Sequence, residues 1–523
     1  MSSRFRHRKR RPRRFQAVSK PRGVIHPRVV KAGPERFGVV SVDCAKARST
    51  WMLCDFYGKV LIPPSVVPHG RCEFAEALSR LGKAVKAHAL RDVLVAVERT
   101  GRYHHPVQRA FAGGGYEVRT VHPFATKQFR QPANPGAKTD DNDLAAIHRC
   151  AVNGFALAHP VVDPSWQELQ LLIRHRRDWV RKCSALCCQI KDHLEAAMPG
   201  YSGCFPKLWD CPAALYLGLS CGSAEEIGRS DVEGISAWLR EAQIGFQERT
   251  VRRVLEWARR APHSDPAASQ HRRIAQALNA DRLHKERDIQ ALERDIAGRL
   301  ARTPYVLLLS VVGINVVSAA DFAGEMGPIR HYANARCLTG RAGLYPSRYQ
   351  SDEVDLADGP LVRCGNRALR AAILGIADNL VTCNRHFRNL AERWAQAGKN
   401  PRWTRVKVGM RFCRIAFQMV AGQQVFRHPS IRERAYVLQK LMTFHREHQT
   451  GMNQTLADLQ AAVDQLPKAE HAAEADPLVK ELEVIEKGRR RGPQPIGKIL
   501  PLVLARLGVR RVQSGKSGVN DPR

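Results

Sequence analysis

Residues 37–62 read FGVVSVDCAKARSTWMLCDFYGKVLI, and this stretch decides the fold. FGVVSVD (37–43) is a short apolar run rich in valine, the mark of a buried strand. STWMLCD (49–55) is a second such run, FYGK (56–59) a hairpin turn, and VLI (60–62) a third strand. Further on, EFAEALSRLGKAVKA (73–87) has helical periodicity and DVLVAVER (92–99) is another buried strand. YHHPVQRAFAGG (103–114) reads as a helix stopped by glycine, and YEVRTVH (116–122) as the final strand. After a loop, TDDNDLAAIHRCAV (139–152) begins a helix. Three antiparallel strands, a helix, then alternating strands and helices predict a mixed α/β sheet.

Acids fall at selected places on this scaffold. Asp43 ends the first strand and Glu98 ends the fourth, where each would ordinarily be a solvated strand end or turn residue. Asp140, Asp141 and Asp143 crowd the start of the last helix. Thr139 or Asp140 can cap that helix, and acids suit the positive end of its dipole. Asp140 and Asp143 are three residues apart and share a helix face, whereas Asp141 points elsewhere and reads as the capping or spare acid. Four carboxylates drawn to one point would repel each other unless cations bind between them. Magnesium, which prefers oxygen ligands, is a suitable ion.

The surroundings of these acids are strongly basic. The 523 residues carry 84 Lys+Arg against 49 Asp+Glu, a formal charge of +35 and a pI near 10.2. That field favours a polyanionic partner, and nucleic acid fits best. Aromatic residues at 7% argue against a module that works mainly by stacking many unpaired bases. No run of about twenty apolar residues is present to span a membrane, and MSSRFRHRKRRPRRF (1–15) lacks the apolar core of a secretory signal. The fourteen cysteines are scattered, and KCSALCCQI (182–190) lacks paired metal-ligand spacings, so free thiols in a reducing cytoplasm are expected.

Residues 1–36, with thirteen Lys or Arg and one acid, read as a basic flexible arm that touches phosphates or keeps the chain soluble. Residues 37–160 form the α/β domain. Residues 161–300 turn almost wholly helical, a linker or coiled-coil region. It holds one long basic helix (166–199) and another (281–300) with Leu283, Ile289, Leu292, Ile296 and Leu300 in a stripe. That stripe suits either a partner helix or an intramolecular face. Residues 301–425 read as a separate helical domain with glycine-rich turns, and 426–523 as a charged appendage, partly disordered.

SVDCAK (41–46), VAVERTGRY (95–103), VRTVHPFATKQFRQ (118–131) and KTDDNDLAAI (138–147) resemble, in order and spacing, the amino-terminal domain of the DEDD transposases of the IS-one-ten insertion-sequence family. The pattern Glu-x-Thr-Gly-x-Tyr followed about forty residues later by Lys-Thr-Asp-x-x-Asp is specific. LLLSVVGINVVSAADFAGEMG (307–327) resembles the family's glycine turn, with Asn315 where a second glycine is usual. YANARCLTGRAGLYPSRYQSDEVD (332–355) resembles its Ala-Gly-Leu-x-Pro segment, and RCGNRALRAAIL (363–374) its Gly-x-x-x-Leu-Arg helix. The serine five positions after Pro346 is Ser351, followed by Asp352 where the family has glycine, and Ser347 is the second choice.

The resemblance implies a ribonuclease-H-like fold similar to the junction resolvase RuvC, then an all-α region and a mainly helical transposase domain. It implies that Asp43, Glu98, Asp140 and Asp143 hold two Mg2+ (or Mn2+) ions, and that Ser351 attacks DNA to form a phosphoserine link. It further implies donor and target DNA, a structured noncoding guide (bridge) RNA, and a homo-oligomer, dimer or tetramer, in which one subunit's serine works beside another's acids. The expected location is cytoplasmic, at a prokaryotic nucleoid. The alternatives are a RuvC-like metal-dependent junction endonuclease, needing the four acids but no serine, and a non-catalytic RNA-binding protein whose acids merely cap elements.

Overall fold

The computed structural model describes residues 26–130, 137–158, 163–221, 223–347, 349–351, 354–356, 359–426 and 433–467. The chain divides into two compact units, Met1–Val161 and Val162–Arg523.

The first unit holds, in chain order, α1 (His26–Ala32), β1 (Phe37–Cys44), β2 (Arg48–Asp55), β3 (Val60–Pro68), α2 (Arg71–Ala87) and β4 (Asp92–Glu98). There follow α3 (His104–Gly113), β5 (Glu117–Val121), α4 (Pro123–Arg130), α5 (Asp140–Val152) and β6 (Leu157–Ala158). The strands form one sheet in the order β3-β2-β1-β4-β5-β6, so the mixed α/β reading holds. β1, β2 and β3 are antiparallel neighbours, and Gly58, at φ +95°, makes the turn between β2 and β3. β4 and β5 run parallel to β1 and to each other, because each is reached through a helical crossover.

The strands read as continuous apolar runs because both faces of the sheet are covered. Val40, Val42, Val95 and Val97 pack under Leu81 of α2 and Phe111 of α3. The alternate residues Phe37, Val39, Leu94 and Ala96 pack with Ile147, Cys150 and Ala151 of α5 and with Val29 and Ala32 of α1. α1, inside the stretch read as a basic arm, therefore packs on the sheet. Arg28 fixes α1 by donating to both oxygens of Asp92 (2.5 and 2.7 Å) and to Glu117 (2.5 Å). Residues 1–25 of that arm lie outside the described residues.

The second unit begins with α6 (Pro164–Ala197), a 34-residue helix, then α7 (Pro212–Ser220), α8 (Ala224–Gly228), α9 (Val232–Glu241) and α10 (Glu248–Arg260). α11 (Ala268–Ala301), again 34 residues, runs back along α6: Arg299 meets Glu168 at one end and His193 meets His271 at the other. Residues 190–278 at the far end share a core of their own, with Tyr201, Leu217, Ile235, Val251 and Val254 fully buried. The sequence reading of this region as a helical linker or coiled coil did not name this core. In the stripe of α11, Ile296 and Leu300 face the intramolecular core while Leu283 is exposed.

The remaining elements are α12 (Val316–Met326), α13 (Ala335–Ala342), the hairpin β7 (Tyr349–Ser351) and β8 (Val354–Leu356), and α14 (Arg367–Cys383). α15 (Arg385–Gln396), α16 (Pro401–Ala421), α17 (Glu433–Glu447) and α18 (Met452–Gln465) complete the described chain. Leu308, Phe322, Ile373, Phe412, Leu441 and Leu459 belong to one core, so α17 and α18, within the stretch read as an appendage, are part of the folded body. Residues 468–523 lie outside the described residues. Buried ion pairs fix the helices. Glu325, fully buried, accepts from Arg174 and Arg177 of α6 and from Asn366 (2.9–3.0 Å). Glu293 accepts from Arg176 of α6 and pairs with His448, just beyond α17.

Candidate active site

β1 and β4 place two acids side by side. In their parallel register Val42 is paired with Val97, and Asp43 and Glu98 are the next residues on each strand. Strand alternation turns both toward the face that α5 covers. α5 brings the others: Thr139 caps it by accepting from the Asn142 amide (3.3 Å), which settles the cap on Thr139. Asp140 is exposed and accepts from the Thr50 hydroxyl (3.4 Å) of β2, the residue paired with Asp43. Asp143, one turn on, is buried, and Asp141 is exposed.

The electrostatics record the crowding. Burial, followed by the charges of Asp143 and Asp140, raises the proton affinity of Asp43 above the usual carboxylate range. Burial, then Asp43 and Asp143, pushes Glu98 to about 7. Three partners at such range are unfavourable for ionised carboxylates without compensation. Lys138 lowers both values, and Arg130 lowers that of Glu98 while donating to Asp143. Arg130 and Lys138 had no role in the sequence reading, although both lie in the motifs quoted there. Arg130 is close to the acids in space but not in sequence, so it leaves no spacing signal.

Hard oxygen donors of this kind suit magnesium or manganese. Among the described residues, however, no three His, Cys, Asp or Glu side chains form a group ready to hold an ion. The donor chemistry therefore fits a divalent metal, while Asp143 is engaged by Arg130. The same finding covers Cys183, Cys187 and Cys188, which are free thiols.

In the second unit, Gly313 has φ +96° and its backbone lies against Asn379, where a Cβ would stand 3.0 Å from the carbonyl oxygen. Asn315, in the place of a second glycine, forms a capping box with Ser318 at the start of α12. Lys440 of α17 donates to the Val311 and Ile314 carbonyls (2.7 and 2.6 Å), and burial lowers its pKa to about 7. Arg370, the arginine of the Leu-Arg motif, binds the carbonyls of Ala342, Val362 and Cys364 (2.7–3.0 Å) and so anchors the base of the β7–β8 loop. Ser347 donates its hydroxyl to Pro360 (3.0 Å) and pairs with it through the backbone. Ser351 is the last residue of β7, its backbone paired with Val354; its side chain, and all of Asp352 and Glu353, lie outside the described residues.

No helix among the described residues is long and apolar enough to cross a membrane. A model of DEDD transposases of the IS110 type matches residues 40–199, and a model described as transposase of the IS116/IS110/IS902 family matches residues 305–392. A probable family 20 transposase of Pseudomonas aeruginosa is 26% identical over 306 residues, covering 58% of this chain and 75% of the relative. The two models take in all four acids, Gly313, Ser347, Ser351 and Arg370, and leave the small core of α7–α10 between them. The order of the motifs, the pairing of β1 with β4 and both matches agree: this chain belongs to the IS110-type family of transposases.

Proposed function

We propose that the chain cleaves and rejoins DNA strands, with Asp43, Glu98, Asp140 and Asp143 as the metal-holding acids of a ribonuclease-H-like domain. The observation that carries this is the convergence of acids from β1, β4 and α5, where burial and then their mutual charges raise Asp43 and take Glu98 to about 7. Acids serving only as caps have no reason to converge. The sheet order, three antiparallel strands flanked by parallel ones, supports the ribonuclease-H-like assignment.

Two Mg2+ or Mn2+ ions held by these acids would supply charge to a scissile phosphate and its pentavalent state. Ser351 is the proposed nucleophile. Its Oγ bonds to phosphorus, the bond to the 3′ oxygen breaks, and that oxygen leaves as a 3′ hydroxyl. Another 3′ hydroxyl attacking the serine ester reverses the step, restoring a phosphodiester and the free serine without ATP. Ser347 is the weaker candidate, because its hydroxyl is bound to Pro360.

Charge supports a nucleic-acid grip, and the family resemblance implies that base pairing with a guide RNA, rather than protein side chains, selects the sequence. α15, α16 and the segment between them carry nine Lys or Arg and the single acid Glu392. On α16, Lys407, Arg411 and Arg414 follow one another at helical spacing on the side away from the buried Phe412 and Ala416. We assign this face to DNA phosphates, and a homo-oligomer brings the serine of one subunit to the acids of another. Hydrolysis by an activated water at the same acids is the second reading, favoured only if no ester forms. The test is magnesium-dependent nicking of DNA by the full chain alongside Asp43→Asn, with binding followed separately. Undiminished nicking by the variant overturns the assignment.

A further inference from the structure

Arg130 ends α4 and sits among the carboxylates, yet the reaction as proposed gives it no part. Its side chain is 14% exposed and donates to Asp143, whose own side chain is 6% exposed. The same guanidinium lowers the proton affinity of Glu98, so its field reaches the β4 acid as well. Arginine keeps its charge at any pH of interest and offers donors only. A guanidinium and a divalent ion on one carboxylate oxygen compete for the same lone pairs.

We propose that Arg130 is a positioning residue that holds Asp143 in the metal-free chain and is displaced from it when a divalent cation enters. The proposal rests on the metal-holding reading of the acids. A buried carboxylate deprived of its partner is strongly destabilising, so a chain that folds before loading metal needs a resident counter-charge at Asp143. Arg130 supplies it. An incoming ion brings two positive charges to a place where Arg130 supplied one, and the guanidinium then becomes surplus beside Lys138, which acts on Asp43 and Glu98. Metal affinity is thereby set below what four acids alone would give, and the acids stay ordered before the ion arrives.

The test uses the full chain without DNA and Mn2+ as the probe, followed by the loss of the free-ion signal in electron paramagnetic resonance. Arg130→Gln is expected to bind Mn2+ about tenfold more tightly, the scale of one charge-assisted hydrogen bond taken out of the competition. Arg130→Lys should fall between, since lysine keeps the charge without the fork. In the native chain, Mg2+ should increase the modification of Arg130 by phenylglyoxal, mapped by mass spectrometry; this readout decides alone if Arg130→Gln fails to fold. Equal or weaker Mn2+ binding by a folded Arg130→Gln, or unchanged labelling of Arg130 in a chain that binds metal, overturns the proposal. If neither chain binds Mn2+ in a manner abolished by Asp143→Asn, the metal reading itself fails.

Discussion

Asp43 and Glu98 occupy equivalent places on neighbouring parallel strands, each following one member of the Val42–Val97 pair. Their carboxylates lie on the same face of the sheet, and the strand register, not a flexible loop, holds them there. Asp43→Asn, Glu98→Gln and Asp143→Asn should each lower magnesium-dependent nicking by about 10²–10³ or more, the scale for losing one group that stabilises transition-state charge. DNA binding, supplied by Lys and Arg, should stay within about twofold of native. A variant that nicks normally removes its residue from the site.

Burial together with the same crowding makes stability depend on pH. Glu98 keeps its proton to about 7 in the folded chain against 4.5 when unperturbed. Between those values the folded state binds more protons than the unfolded state, so stability falls as pH rises through the window. In metal-free buffer, Glu98→Gln should be more stable than native by about 1–2 kcal/mol at pH 8, discounted because the site stays open to water. Near pH 4 the difference should vanish. Urea unfolding at the two pH values measures this, and equal stabilities at pH 8 would contradict the raised proton affinity of Glu98.

Glu325 is the point at which α6, α12 and the start of α14 are tied together. Glu325→Ala leaves Arg177 and Asn366 without their shared acceptor in a part-buried place and should cost about 3–5 kcal/mol. Glu325→Gln, which keeps an acceptor but loses the charge, should cost less. Thermal unfolding of the three chains gives the order. A cost under about 1 kcal/mol for the alanine variant would show that the network is as weak as a surface pair.

The strands of the first unit were legible because a sheet covered on both faces leaves continuous apolar runs, as in FGVVSVD and DVLVAVE. The acids were legible as strand-end and helix-start residues, but their meeting depends on the Val42–Val97 register, which no local pattern encodes. α4, with eight residues, and β6, with two, are too short to show a period. α17 had an apolar signal in Val437, Leu438, Leu441 and Met442, masked by the polar composition around it. The Asn315 departure from glycine made sense only once its side chain was seen capping α12.

The basic surfaces should supply affinity without sequence choice. Replacing Lys407, Arg411 and Arg414 together by Gln should weaken binding to any DNA duplex. It should also flatten the dependence of log affinity on log salt by roughly one unit for each phosphate that is no longer neutralised. Deleting residues 1–25, which keeps α1, should act in the same direction. A deletion reaching residue 30 also removes the Arg28 bonds to Asp92 and Glu117 and should destabilise the first unit. An unchanged salt slope in the triple variant would exclude α16 from the DNA-facing surface.

The carboxylate group drives formation of a serine–DNA ester in the proposed reaction, and that ester is open to direct detection. The measurement is mass spectrometry of the protein–DNA adduct trapped from the full chain with DNA, guide RNA and Mg2+, compared across Ser351→Ala, Ser347→Ala and Asp43→Asn. The account predicts a phosphodiester-linked nucleotide on Ser351 in the native chain and in Ser347→Ala, and none in Ser351→Ala or Asp43→Asn. Nicking by the native chain with no adduct on any serine, or an adduct that persists in Asp43→Asn, would contradict it.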